Sequence, residues 1–499
     1  MIESPSSLFK REWTFNKGDR LSAPPNFGVC FSGGGNRSAA FAIGVLGALH
    51  DLGLLSKVDV ISAVSGGSYA LSWLLLQPFY HSACMSDPRA ALPRVQEEMF
   101  DIHGPFQSYL ATHAKSLAAV NWVDLFFQLP LILFGDIIAF NVLRLLSLPF
   151  KGAVSFAAQN NAQSMLRTNY REGIQRTYQV FPDLGRKAPP KRSTLLETAF
   201  QASEFLFLTI PDVPPVSFPT LTAFAQRAAL PSFVFNATVT PPKPGVGIPL
   251  GDRIFELSPM GFGSNSCGYL TWEETERLGW EPGARFEKRL LTQLGDRSVS
   301  PFATIRNLNT APAVSGAAVD APNIAEWKLG WLLQLLNIGL AYVVPNPKDP
   351  RRLVRLSDGG HSENLGVYAL LRRGCRTILI VDAEYDPTYR FGAYQKVKQA
   401  AKDELDIELK SPTHNVSKVD HALASLRESS LTLAIMSHVS ALAIVASKSF
   451  ASRRLRLSHA MVRSTTQRRG NSLKPLAASD RLTISIVHEP IEASAFLSF

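Results

Sequence analysis

From Phe27 to Leu55 the chain reads FGVCFSGGGNRSAAFAIGVLGALHDLGLL, and from Val58 to Leu76 it reads VDVISAVSGGSYALSWLLL. Phe27–Phe31 is a short apolar run of the length a buried strand needs, and a cluster of three glycines, Gly33 to Gly35, follows it. Phe41, Val45, Leu46 and Leu49 then recur at helical spacing until Gly53 stops the helix. Val58–Val64 is a second apolar run, and it turns sharply at Ser65-Gly66-Gly67 into another helix. Two strand-to-helix units joined by short connections specify a parallel sheet with helices on its faces, so an α/β fold is expected.

Further along, residues from about 80 to 225 read as a mostly helical insertion with Pro-rich connections around Pro189 and Pro211–Pro219. The strand signal returns at Phe233–Thr240 and Arg253–Leu257. Leu353–Leu356 then runs into Ser357-Asp358-Gly359-Gly360, a helix is expected from about Asn364 to Arg373 with Gly374 as its stop, and Thr377–Val381 is a further buried strand. Beyond about Ser411 serines are frequent, the apolar pattern weakens, and Arg453, Arg454, Arg456, Arg463, Arg468 and Arg469 cluster. The expected organisation is an N-terminal extension over 1–26, one domain over 27–409 carrying the insertion, and a basic Ser-rich tail over 410–499 that is either an appendage or a small helical cap.

The 499 residues include 51 Lys and Arg against 41 Asp and Glu, a net charge of +10, with 46% hydrophobic and 18% charged residues. That balance excludes the disordered, collagen-like and coiled-coil classes. The four cysteines, Cys30, Cys84, Cys267 and Cys375, stand singly, without the spacing of a zinc site or a disulfide framework, which points to a reducing compartment. Met1 to Pro5 has no basic segment leading into an apolar run, so a cytoplasmic protein is expected. Excess positive charge favours anionic surfaces such as phospholipid headgroups or nucleic acid. Leu125–Phe150, LFFQLPLILFGDIIAFNVLRLLSLPF, has about the length of a bilayer span but is interrupted by Gln128, Pro130, Asp136, Asn141 and Arg144. With Lys115, Arg144 and Lys151 along its flanks it is expected to dock on a membrane surface, an integral span being the alternative. The shorter run Trp331–Val344 is expected to be a buried or interfacial helix.

A serine at a strand-to-helix turn needs small residues two positions to either side, because the turn is strained, and its hydroxyl then stands at a helix N-terminus. Ala63-Val64-Ser65-Gly66-Gly67 meets that requirement; Ser68, between Gly66 and Ala70, fits by letter but would lie a turn inside the helix. Taken alone, the pattern is more often that of a glycine-rich connection in an α/β fold. Gly33-Gly34-Gly35-Asn36-Arg37 leaves uncovered backbone N–H groups between a strand and a helix, which suits a phosphate or an oxyanion, and Arg37 adds a positive charge. A dinucleotide loop would need G-x-G-x-x-G, but Ser38 replaces the third glycine and no acid ends the second strand. Asp358-Gly359-Gly360, at another strand end, puts a carboxylate where it can take a proton from a serine on a neighbouring strand, although Asp-Gly is also an ordinary turn.

The three elements in this order resemble the patatin-like lipid acyl hydrolases and the related cytosolic phospholipase A enzymes, whose signature is a GGGxR loop, an elbow serine about thirty residues later and a distant Asp-Gly-Gly or Asp-Gly-Ala. The matching positions are Gly33, Gly34, Gly35 and Arg37, then Ser65, then Asp358. Asp358 to Gly366 with Arg372-Arg373, and the stretches Phe235–Thr238 and Phe255–Pro259, resemble the cytosolic phospholipase side of the family. Ala63 stands where most patatin elbows have Gly, and Ser38 where patatins usually have Gly. The resemblance implies a patatin-like three-layer fold with a central, mainly parallel sheet plus the helical insertion. It implies that Asp358 takes the proton of Ser65 and that Ser65 attacks an ester carbonyl. It further implies that backbone N–H groups around Gly33, Gly34, Gly35 and Gly66 hold the oxyanion and that Arg37 stabilises it or binds a lipid phosphate. The expected substrate is a phospholipid or another acyl-lipid at a membrane surface, with no cofactor and no metal.

Two other enzymatic or binding readings stay open. A Ser-His-Asp esterase would recruit a histidine, His361 being nearest in sequence to Asp358, but chain order disfavours it. A catalytically silent membrane-associated scaffold would be expected to lose Ser65 or Asp358, and both are present. No nucleic-acid partner is expected, since no aromatic-plus-basic module accompanies the charge.

Overall fold

Strand Phe27–Phe31 (β1) sends Val29 and Phe31 into one buried apolar cluster and Cys30 into another, one on each face of the sheet. The same alternation of period two runs through Val60–Val64 (β2) and Ser232–Thr240 (β3): Ile61, Ala63, Phe233 and Phe235 share the first cluster, Val60 and Val234 the second. The computed structural model describes residues 5–13, 15, 25–118, 165–180, 215–240, 247–277, 303–317, 341–349, 353–384, 391–409, 459–460 and 483–488. The remaining strands are Ile254–Leu257 (β4), Gly261–Ser264 (β5), Gly268–Thr271 (β6), Tyr342–Pro345 (β7), Leu353–Asp358 (β8), Thr377–Asp382 (β9), His459–Ala460 (β10) and Thr483–His488 (β11). They form one mixed sheet in the order β10-β11-β9-β1-β2-β3-β4-β5-β6, with β8 beside β3 and β7 beside β8.

The centre, β11-β9-β1-β2-β3, is parallel, and antiparallel strands flank it on both sides. Helices Pro5–Trp13 (α1), Gly35–Asp51 (α2) and Gly66–Tyr80 (α3) come first in the chain. α2 and α3 cover one face through Phe41, Val45, Leu46, Leu71, Trp73 and Leu74, and helices Val367–Arg372 and Gly392–Leu405 cover the other. The result is the three-layer α/β arrangement expected from the sequence. Such a parallel centre gathers its functional groups at the carboxyl ends of its strands.

One register detail brings two distant segments together. β3 is long enough to pair with β2 along Ser232–Asn236 and, further up the same edge, with antiparallel β8 along Ala237–Thr240. Its other edge is taken by β4. β2 and β8 therefore meet head to head: Val64 lies opposite Asn236, and Asp358 lies opposite the next residue, Ala237.

Several elements differ from the sequence expectation. The helix anticipated from Asn364 begins at Val367, because Gly366 has φ 75° and Glu363 accepts the N–H groups of Leu365 and Tyr368 with its carboxylate. The end of the run Trp331–Val344 is not helical: Tyr342–Val344 belong to β7, where they pair with β8. The described parts of 410–499 are strands β10 and β11, and β11 pairs with β9 inside the sheet. Within 80–225 the described residues are mostly helical, including a π-helical turn at Gln175–Gln179. The stretch Leu125–Phe150 lies outside the described residues. Among the described residues no helix is long and apolar enough to cross a membrane.

Candidate active site

Ser65 has φ 48° and ψ −119°, a conformation that favours glycine and costs a side-chain-bearing residue about 1–3 kcal/mol. The surroundings enforce it. A Cβ on Gly66 would stand 1.9 Å from the Gly35 carbonyl oxygen, and one on Gly67 would stand 2.6 Å from both Cβ and the carbonyl oxygen of Phe31. The small letters after Ser65 are thus required by the close approach of the first glycine loop and of β1. Ala63 is completely buried and lies between Phe31 and Phe235 in the sheet. The Ser65 N–H donates to Ser315 Oγ at 2.9 Å, and the Ser65 carbonyl accepts the N–H of Ser68 at 2.9 Å.

Asp358 arrives from the other side of the strand junction. Ser65 Oγ donates to Asp358 Oδ2 at 2.8 Å, and the Gly360 N–H donates to Oδ1 at 2.7 Å. The Asp358 N–H donates to the Ala317 carbonyl at 3.1 Å. Ser65 and Asp358 are each only 6% exposed, so the pair sits in a nearly dry environment. Burial raises the Asp358 carboxyl above its ordinary range, against the lowering effect of the Gly360 N–H and the Ser65 hydroxyl. Ser68 is fully buried and donates to Ser315 Oγ, not to Asp358. His361 turns its Nδ1 to within 3.1 Å of Ser357 Oγ.

The glycine loop closes the third side. The Gly33 N–H donates to the Asn364 carbonyl at 2.8 Å, and Ser32 Oγ accepts from the Ala383 N–H at 2.7 Å. Gly34 and Gly35 have φ 142° and 64°, which a side chain would resist. Arg37 is half-buried and its Nη2 donates to the Ala383 carbonyl at 2.7 Å, clipping the start of α2 to the end of β9. Neither α2 nor α3 has a side-chain cap, and the positive dipole ends of the two helices lie at the same strand ends as Ser65. Chemically, the site combines a hydroxyl hydrogen-bonded to a buried carboxylate with an anion-favouring cradle. Among the described residues no group of three or more His, Cys, Asp or Glu side chains is gathered as metal ligands would be.

Some participants escaped the sequence reading. Ser315 and Asn236 hold the elbow from behind, and Tyr178 donates to Asn36 Oδ1 at 3.2 Å from the π-helical turn. Ser315 did carry a signal: Ala313-Val314-Ser315-Gly316-Ala317 repeats the small-x-Ser-x-small letters of the elbow, but it closes a short helix instead of ending a strand.

Residues 29–101, the stretch from β1 through the helix Pro88–Phe100, match the patatin family model, described as patatin-like phospholipase. Over this segment the chain is similar to the patatin-like phospholipases. The Saccharomyces cerevisiae protein named "Putative meiotic phospholipase SPO1" is 41% identical over 59 residues, which is 12% of this chain and 9% of SPO1. Human GIVD cytosolic phospholipase A2 superposes with a TM-score of 0.44 at 14% identity, over 83% of this chain and 53% of that one. VipD from Legionella pneumophila superposes with a TM-score of 0.26 at 13% identity, over 81% and 56% of the two chains. The chain spans about half the length of these solved structures.

Proposed function

We propose that the protein is a lipid acyl hydrolase that cleaves fatty-acyl esters through Ser65 and Asp358. The single observation that carries this reading is the 2.8 Å hydrogen bond from Ser65 Oγ to Asp358 Oδ2 at a strained strand-to-helix turn. Asp358 accepts the hydroxyl proton as Ser65 Oγ bonds to the ester carbonyl carbon. The N–H groups at Gly34, Gly35 and Gly66 hold the resulting oxyanion, with Gly33 fixing the loop, and the positive ends of α2 and α3 favour the same charge. Collapse breaks the bond to the alcohol, which leaves with the proton from Asp358. Water then attacks the acyl-Ser65 ester, Asp358 again taking and returning the proton, and the fatty acid departs.

The substrate reading rests on the patatin-like match of residues 29–101 and on the net charge of +10, which attracts anionic lipid surfaces. A membrane-surface enzyme, docked partly through Leu125–Phe150, follows from it. The test is incubation of the full chain with mixed phospholipid vesicles, with released fatty acids and lyso-lipids identified by mass spectrometry, alongside labelling by a fluorophosphonate. Expected are fatty-acid release and a label on Ser65, both absent in Ser65→Ala. Undiminished labelling of Ser65→Ala, or a label on Ser68, would overturn the assignment.

A further inference from the structure

Ser315 sits at the end of the short helix Ala311–Ser315, fully buried, 250 residues from Ser65 in sequence. Its hydroxyl makes three hydrogen bonds. It accepts from the Ser65 N–H at 2.9 Å and from the Ser68 hydroxyl at 2.8 Å, and it donates to the Asn236 carbonyl at 2.6 Å. A serine hydroxyl has two acceptor sites and one donor, so its full capacity is used. The Asn236 carbonyl is also the atom that a Cβ on Gly359 would strike at 2.4 Å, so it lies directly against the turn that presents Asp358. One oxygen thus connects the backbone of the nucleophile to the strand edge on which its partner carboxylate rests.

The neighbouring residues extend the same function. The Gly316 carbonyl accepts from Tyr170 at 2.5 Å, and the Ala317 carbonyl accepts the Asp358 N–H. Three consecutive residues therefore hold the elbow, a helix of the insertion and the acid.

We propose that Ser315 is a positioning residue: its hydroxyl holds Ser65 in its strained conformation and sets the distance from Ser65 Oγ to Asp358 Oδ2. The inference rests on the Ser65–Asp358 reading above and deepens it. Without the hydroxyl, the Ser65 N–H and the Asn236 carbonyl lose a buried partner, and the elbow has less to oppose its relaxation toward ordinary helical geometry. A misplacement of about 1 Å at a reacting group is enough to lower a rate about 10²-fold. Loosening the Ser65 hydrogen bond also removes one of the influences that lower the Asp358 carboxyl, which moves the acid limb of activity to higher pH.

The experiment measures the second-order rate of fluorophosphonate labelling against pH, per folded molecule, in the full chain. The variants are Ser315→Ala, the near-isosteric Ser315→Cys, Ser65→Ala, and Val314→Ala as a packing control at a fully buried neighbour. Expected are a fall of about 10²-fold in both Ser315 variants with the acid limb shifted upward, since sulfur is a poor substitute donor and acceptor. Val314→Ala should lower the melting temperature while leaving rate and pH profile unchanged. Wild-type rate and profile in folded Ser315→Cys or Ser315→Ala would overturn the inference, as would a fall matched by Val314→Ala. Persistent labelling of Ser65→Ala would instead overturn the reading on which it rests.

Discussion

Asp358 has one oxygen on Ser65 and the other on the Gly360 N–H, and a carboxamide could keep the second contact while losing the capacity to take a proton. Asp358→Asn is therefore expected to fold normally, as judged by its melting temperature, and to hydrolyse phospholipid about 10²–10⁴-fold more slowly. Full activity in that variant, together with its abolition by a His→Ala change, would replace the dyad by a triad. The raised Asp358 carboxyl has a further consequence for the wild type. The base must be ionised, so activity is expected to fall as pH drops through a midpoint above the ordinary value of 3.8, and a pH–rate profile of vesicle hydrolysis measures it.

At the level of elements, α1 is tied to the body by charge. Arg373, 1% exposed, donates to the carboxylates of Glu12 at 2.5 Å and Glu256 at 3.0 Å, and Phe9 lies 4.5 Å beneath its guanidinium. Burial opposes the charge on Arg373, but the two carboxylates more than restore it. Removing one partner of such a buried pair costs about 3–5 kcal/mol, so Glu12→Ala should lower thermal stability by about that amount, moderated by Glu256; a change under about 1 kcal/mol would show that α1 merely rests on the domain. Glu363, which caps the helix Val367–Arg372, supplies a pH signature. Its burial outweighs the N–H groups of Leu365 and Tyr368 and pushes it up to about 7 from an ordinary 4.5. A folded-state value raised in this way stabilises the protein below about 4.5, and that contribution is lost as pH rises through about 7. Melting curves of wild type and Glu363→Gln should accordingly converge as pH rises across this window, the wild type being the one that changes. What could be read beforehand and what could not divides along these same contacts. β1, α2, β2 and α3 were legible because their apolar periods and glycine turns are local. Ser315 was not, since its partners lie 250 and 247 residues away, and β11 was not, since its alternating Ile484 and Ile486 follow a long polar, arginine-rich stretch.

For the whole molecule, the net charge of +10 and the apolar Leu125–Phe150 stretch are expected to act together at a lipid surface. Sedimentation with vesicles should be stronger when they contain anionic lipid and should weaken as salt shortens the screening length from about 10 Å at 0.1 M to about 3 Å at 1 M. Retention through both high salt and alkaline carbonate, with one flank of Leu125–Phe150 protected from protease, would show a transmembrane segment in place of surface docking. The head-to-head meeting of β2 and β8 on β3 has a consequence in time. Ser65 and Asp358 are 293 residues apart, so at a synthesis rate of about 5–20 residues per second roughly 15–60 s separate the appearance of the nucleophile from that of its base. Throughout that interval the nascent chain carries Ser65 without the aspartate that accepts its hydrogen bond in the folded protein. On the reading proposed above, ester cleavage would therefore await a chain in which strands β1 to β8 have all been synthesised.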